Sequence, residues 1–210
     1  MDFETSIGNI RLAPYIVKAT ALIGVKQKGG GNMFRHQLAT LAILLDYKIV
    51  DPVLLKASLI HDLFEDAAGM PGVTQEEICG IDADGPAVFD LVMELTQRTV
   101  GKAPEPKSEY LLRVMQQGSR RAKVLKLADR ISNLTALGYV HKPEFADRTV
   151  RDTKLYILPY AKDVNADMFL ELSDLVISRE ATDLTHPHET VTTTLSSAPS
   201  SESVADNSSS

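Results

Sequence analysis

Apolar residues recur at three- and four-residue spacings along five stretches of the chain. These are Phe34 to Leu45 (FRHQLATLAILL), Pro52 to Asp66, Pro86 to Leu95, Arg121 to Leu137 and Phe145 to Tyr160. Each predicts a helix with one apolar stripe. Two starts carry their own signals: Asp51-Pro52 reads as an N-cap followed by proline in the first turn, and Thr74-Gln75-Glu76-Glu77 as a capping box. Period-two alternation with hairpin turns is absent, so the pattern predicts an all-α domain. Lys26 to Asn32 (KQKGGGN) and Thr99 to Lys107 (TVGKAPEPK) interrupt it as loops. Their lysines beside glycine or proline suit a solvated connector or, equally, the rim of an anion site.

From residue 181 the pattern stops, and Ser and Thr replace large apolar residues. Such a segment buries too little surface to offset its ordering entropy, so we expect a domain over residues 1–180 and a disordered tail over 181–210. His186 and His188, an HPH pair in that tail, read as incidental. With 210 residues and 44% hydrophobic composition, the chain suffices for one well-filled core. A net charge of −6 argues against a general grip on DNA or RNA, while leaving room for a local basic pocket. The single cysteine, Cys79, excludes an intramolecular disulfide and suits a reducing compartment. The start MDFET lacks the basic region of a signal peptide, and APYIVKATALIGV is too short to span a bilayer and carries Lys18. A cytoplasmic protein with no membrane partner is the expectation.

Against this background His61-Asp62-Leu63-Phe64-Glu65-Asp66 (HDLFED) stands out, because three carboxylates follow directly on the apolar run LLKASLI. On a continuous helix His61, Asp62, Glu65 and Asp66 share one face, opposite Leu59 and Leu63. Burying part of that cluster costs several kcal/mol unless something positive sits within it. A His-Asp pair offers the mixed nitrogen and oxygen ligands that suit a divalent transition metal, although a lone HD dipeptide serves equally as a structural or surface pair. His36 precedes an apolar helix, where a histidine is either bonded to a backbone carbonyl or a ligand. Asp129 sits in VLKLADRISNL, where it either pairs with Lys126 or Arg130 or is itself a ligand. Taken together, His36, His61-Asp62 and Asp129 give two imidazoles and two carboxylates on three helices. That set leaves coordination positions open for water and substrate.

The order H…HD…D resembles the signature of the HD phosphohydrolases, and HDLFED followed by KLADRISNL is similar to the hydrolase domain of RelA/SpoT-type alarmone enzymes. The similarity runs from about Ala19 to Ala161 and includes RDTKLYILPYA near its end. The resemblance implies an HD-domain helical bundle around a single metal centre, a Mn²⁺ cofactor and a small nucleotide substrate. The implied reaction removes pyrophosphate from the 3′ position of ppGpp or pppGpp, leaving GDP or GTP. Carried over by position, His36, His61, Asp62 and Asp129 would hold the metal. Glu65 and Asp66 would handle the water and its protons. Gln27, Lys28, Asn133 and Tyr156 would meet the substrate, and Lys28, with Lys102 or Arg98, would neutralise the departing pyrophosphate. No pyrophosphokinase motif follows, so the chain reads as a stand-alone small alarmone hydrolase.

Several positions depart from the family's pattern. Gln37 stands where proline usually follows the first histidine, and Gln27 where an arginine commonly stacks on guanine. Thr135 stands where arginine is frequent, and Ile157 where a tyrosine is expected beside Tyr156. A glutamine amide supplies no cation–π or guanidinium stacking. The base therefore stays open, with (pp)pApp, NADPH or another 3′(2′)-phosphorylated nucleotide as alternatives for a broader HD phosphohydrolase. A non-catalytic nucleotide-binding partner on the same scaffold is the third reading.

Overall fold

The computed structural model describes residues 2–27, 31–137 and 143–185. In chain order the helices are α1 (Phe3–Gly8), α2 (Ala13–Ala19), α3 (Met33–Asp46), α4 (Pro52–Ser58), α5 (Leu63–Asp66) and α6 (Gln75–Cys79). They continue with α7 (Gly85–Leu95), α8 (Lys107–Gln117), α9 (Arg120–Ala136), α10 (Pro143–Tyr156), α11 (Leu158–Val164) and α12 (Ala166–Thr185). Among the described residues the only sheet is a hairpin of β1 (Thr99–Val100) and β2 (Ala103–Pro104). It lies in the stretch read as a loop, and its turn depends on Gly101, whose φ of +67° is a left-handed conformation that glycine adopts freely. The all-α expectation is otherwise met.

Helix α9 is the axis of the bundle. It packs most extensively on α3 and α12, and it also touches α4, α7, α8, α10 and α11. Leu125, Leu127, Ala128 and Leu134 are fully buried on it, and so are most of their neighbours around the whole circumference. A helix enclosed on all sides belongs in the interior. Each fully buried leucine there contributes about 1.5–3 kcal/mol. That apolar setting makes Lys126, Asp129, Arg130 and Ser132, all buried on the same helix, costly unless partnered.

Two predicted helices are broken in ways that matter for the site. The stretch Pro52 to Asp66 is not continuous: α4 ends at Ser58, residues 59–62 form turns, and α5 restarts at Leu63. The Leu59 and Ile60 N–H groups bond only three residues back, to Lys56 and Ala57. Leu59, Ile60 and Leu63 are all fully buried, so no polar face marks the break in the sequence. Phe145 to Tyr160 divides at Ile157, because Pro159 lacks an N–H and takes a place in the first turn of α11. The caps at Asp51 and Thr74 form as expected, accepting from the Leu54 and Glu77 N–H groups. Helices α1, α2, α8 and α12 were not singled out by the pattern. The last of them runs to Thr185, five residues into the segment read as a tail; residues 186–210, with His186 and His188, lie outside the described residues.

One buried ion pair ties the hairpin to α8. Arg113 donates through Nε and Nη2 to both oxygens of Glu105, each at 2.9 Å, and through its other N–H groups to the Glu94 and Thr96 carbonyls. Arg113 holds the Glu105 carboxyl below the ordinary carboxylate range. Its contribution is therefore present above that range and is lost as pH falls through the folded value. Arg113→Met leaves Glu105 buried without its partner, and the expected cost is about 3–5 kcal/mol in urea unfolding at pH 7. The same titration at pH 4 should show a smaller difference between variant and wild type; equal differences at both pH values would count against this account.

Candidate metal centre and nucleotide cleft

Three separate elements bring four side chains to one point. His36 projects from the first turns of α3, His61 and Asp62 from the turn between α4 and α5, and Asp129 from the middle of α9. His36 Nε2 lies 3.2 Å from Asp129 Oδ1 and 3.5 Å from Asp62 Oδ2. His61 Nε2 lies 3.2 Å from Asp62 Oδ2 and 3.7 Å from Asp129 Oδ1. The break after Ser58 makes this convergence possible, and its freed carbonyl fixes a tautomer. His61 Nδ1 sits 2.8 Å from Ser58 O, which only accepts, so Nδ1 donates there and Nε2 faces the centre. That Nε2 is buried and has no hydrogen-bond partner among the described residues. A buried ring nitrogen aimed at two carboxylates with no bonded partner is a place a cation would fill. His36 Nδ1 lies 2.9 Å from Ser132 Oγ, a hydroxyl that can accept or donate.

Ligand atoms of His36, His61 and Asp129 all fall within 4.8 Å of one another, and Asp62 Oδ2 faces both imidazoles. The donor set and its outer hydrogen bonds fit a divalent transition cation. Asp129 is bonded on every side: Oδ2 accepts from Lys126 at 2.8 Å, and Oδ1 accepts from Asn133 at 2.6 Å. Tyr110 OH is 2.7 Å from the Lys126 ammonium, and Gln27 donates to Asn133 Oδ1 at 2.9 Å. Burial pushes the Asp129 carboxyl up, but Lys126 and the two histidines outweigh it and hold the group well below its usual range. Asp62 is likewise held down by His61 and His36 against burial. Burial lowers His36, and the Asp129 and Asp62 carboxylates override it to raise the imidazole to about 9.

Three of the four, His36, Asp62 and Asp129, line a cleft of about 370 Å³, and His61 lies behind them. Glu65 and Asp66 line it and are exposed, and Glu65 Oε1 accepts from the Gln97 N–H at 2.6 Å. Gln27 and Asn133 line it too. Lys28 lies outside the described residues. Tyr156 is not part of the lining: it packs against the core one turn beyond Asp152, and α10 instead presents Phe145, Arg148, Thr149 and Asp152. Arg98 and Lys102 do not line the cleft either, because the hairpin that carries them pairs with itself; the lining cations are Lys26, Lys107, Lys126, Arg130 and Arg148. A second hollow of about 480 Å³ between α8, α9 and α11 has no imidazole and only one carboxylate, Asp163.

Lys26 and Lys107, from the two loops read as a possible anion rim, both line the cleft, whereas the work of Gln37 and Tyr110 was not legible. Gln37, fully buried, donates to Asp62 Oδ2 at 3.0 Å and so steadies a prospective ligand. Its only trace in the sequence is a polar residue inside an apolar helix. Lys126 was legible as one of two possible partners for Asp129, and it is the one that pairs.

No family model matches the chain. It is 29% identical over 159 residues to a GTP pyrophosphokinase of Streptomyces antibioticus, and 28% identical over 159 residues to one of Streptomyces coelicolor. In each case the match takes in 74% of this chain, which spans only 18% of the relative's length. Among solved structures, the fold matches that of a metazoan ortholog of SpoT, described as hydrolysing ppGpp and playing a role in starvation responses. The TM-score is 0.65 at 23% identity, covering 80% of this chain and 94% of the other. The RelA/SpoT-type resemblance and the all-α fold read from the motifs are both borne out.

Gln37→Leu removes the bond to Asp62 while keeping most of the buried volume. Affinity for Mn²⁺, measured by calorimetric titration, should fall about 10–100-fold, the usual effect of removing an outer-sphere partner. Unchanged affinity would mean that Asp62 is oriented without Gln37.

Proposed function

We propose that the chain is a metal-dependent nucleotide phosphohydrolase that removes pyrophosphate from the 3′ position of ppGpp or pppGpp. The observation that carries this reading is the convergence of two imidazoles and two carboxylates around the buried, unpartnered Nε2 of His61. It is supported by the fold shared with a protein described as hydrolysing ppGpp. His36, His61, Asp62 and Asp129 would hold the cation, for which we propose Mn²⁺. When bound, such an ion supplies Lewis-acid polarisation of a phosphoryl oxygen and lowers the pKa of water.

The chain's own residues do the rest. Glu65 and Asp66 face the cleft on the first turn after Asp62, where carboxylates serve to take the proton of an attacking water and to return one to the leaving oxygen. The water oxygen bonds to the phosphorus attached at the 3′ oxygen, the bond from that phosphorus to the 3′ oxygen breaks, and the 3′ oxygen takes up a proton as pyrophosphate leaves. Asn133, fixed between Asp129 and Gln27, offers its amide to the sugar near the metal ligands.

A broader reading, covering adenine alarmones and NADPH, is favoured by one contact. Gln27 donates to Asn133, and its amide lacks the planar guanidinium with which an arginine stacks on a base.

Purified protein with Mn²⁺ should release pyrophosphate from ppGpp when ppGpp, pppGpp, ppApp and NADPH are compared by ion exchange. Orthophosphate from NADPH with no turnover of ppGpp would move the assignment to the broader reading. Asp129→Asn should abolish turnover at unchanged helical content by circular dichroism, and Glu65→Gln should lower kcat about 10²–10⁴-fold. Full activity in Asp129→Asn would overturn the ligand assignment.

A further inference from the structure

Two cations in the cleft have no partner in the chemistry described so far. Arg130 follows Asp129 on α9, lines the cleft and is 6% exposed. Its Nε is buried without a hydrogen-bond partner, and among the described residues no carboxylate or carbonyl bonds its guanidinium. Lys107, the first residue of α8, lines the same cleft with its ammonium 4.4 Å from the centroid of the Tyr110 ring, and it forms no ion pair among the described residues. Lys126 stands 4.9 Å from the same centroid, but its charge is committed to Asp129. Isolated buried guanidinium is costly, and such groups are rarely buried without a partner. Lys107 itself is exposed, and Glu65 and Asp129 are among the charges that act on it. The geometry places a buried guanidinium without an ion pair among the described residues beside a prospective metal ligand, with an accessible ammonium in the same cleft.

We infer that Arg130 and Lys107 form an anion seat for the outer phosphate of the diphosphate that the site cleaves. The inference rests on the proposed phosphohydrolase reading and deepens it. A diphosphate has the required shape: its inner phosphate meets the His and Asp cluster, and its outer phosphate, one anhydride bond away, meets the guanidinium next along α9. A guanidinium offers paired N–H donors to two phosphate oxygens, and an ammonium adds a point charge. After cleavage both phosphates belong to the leaving group, so the same pair neutralises the charge that departs.

The test uses the full chain and inorganic pyrophosphate, by calorimetry and thermal unfolding, with EDTA and with Mn²⁺. Wild type should bind pyrophosphate and unfold at a higher temperature in its presence. Arg130→Met should bind it about ten- to a hundredfold more weakly under both conditions, should lose that thermal response, and should itself be no less stable, since an unpartnered buried charge is gone. Lys107→Met should weaken binding in the same direction, and Lys102→Met, outside the cleft, should not. If Arg130→Met does not fold, Arg130→Lys and Lys107→Met carry the comparison. Wild-type affinity for pyrophosphate in Arg130→Met and Lys107→Met would overturn the seat. The two proposals fail separately. Loss of pyrophosphate binding in these variants, in a protein that does not turn over ppGpp, keeps the seat and removes the substrate assignment. Turnover of ppGpp with unaltered pyrophosphate binding in the variants does the reverse.

Discussion

The structure depends on a carboxylate that has almost no water. Asp129 lies in the middle of the most enclosed helix, where an ionised acid without partners costs several kcal/mol. Three of the elements packed around α9 answer part of that cost. Helix α8 supplies Tyr110, which holds Lys126 against one oxygen; α3 supplies His36 to the other; the turn after α4 supplies His61; and Asn133 reaches back one turn along α9 itself. The charge network and the packing of the bundle are therefore one construction. The apolar contacts fix α3, α4 and α8 around α9, and their polar side chains find one another because of it.

The network is still short of positive charge. Two carboxylates and two imidazole nitrogens converge on one volume, and among the described residues the ammonium bonded to them, Lys126, lies on the outer oxygen of Asp129. The demand shows at His36, where against the downward pull of burial the two carboxylates raise the imidazole to about 9. A proton there and a divalent ion between the four side chains are alternative answers to one electrostatic demand, so occupation by metal and release of a proton are linked. The same demand explains how three acids can follow directly on the apolar run LLKASLI.

The sequence carried the first layer of this and little of the second. His36, His61-Asp62 and Asp129 were legible because each is a polar residue where the apolar period leaves no room for one. The pattern did not reveal the break between α4 and α5, since Leu59, Ile60 and Leu63 are buried whichever way the backbone turns. That break nonetheless aims His61, by freeing the Ser58 carbonyl. The expected cations were sought in loops rich in glycine, proline and lysine. Arg98 and Lys102 do not line the cleft, but Lys26 and Lys107, from the two loops read as a possible anion rim, do. Lys126, Arg130 and Arg148 join them from helices whose neighbours in space are not their neighbours in sequence. Tyr156 failed for a related reason: α10 faces the cleft along Phe145, Arg148, Thr149 and Asp152, and the stripe has passed the edge by the next turn.

The division of labour between rigid and adaptable parts follows. Asp129, Arg130 and Asn133 sit within five positions of one enclosed helix, so the spacing between the metal ligands, the proposed phosphate seat and the sugar-facing amide is set by helical geometry and changes only if the core does. Gln27 precedes α3 and donates its N–H to the Gly31 carbonyl, and Thr135 lies two positions beyond Asn133 on α9. Gln27 and Thr135 are two of the four departures from the family's pattern; the other two, Gln37 and Ile157, are fully buried. On the proposed reading, a phosphate-cleaving floor built on α9 and a base-facing rim outside it would allow the nucleotide to change while the bond that breaks stays the same, and the bond between Gln27 and Asn133 lies where such a change would show.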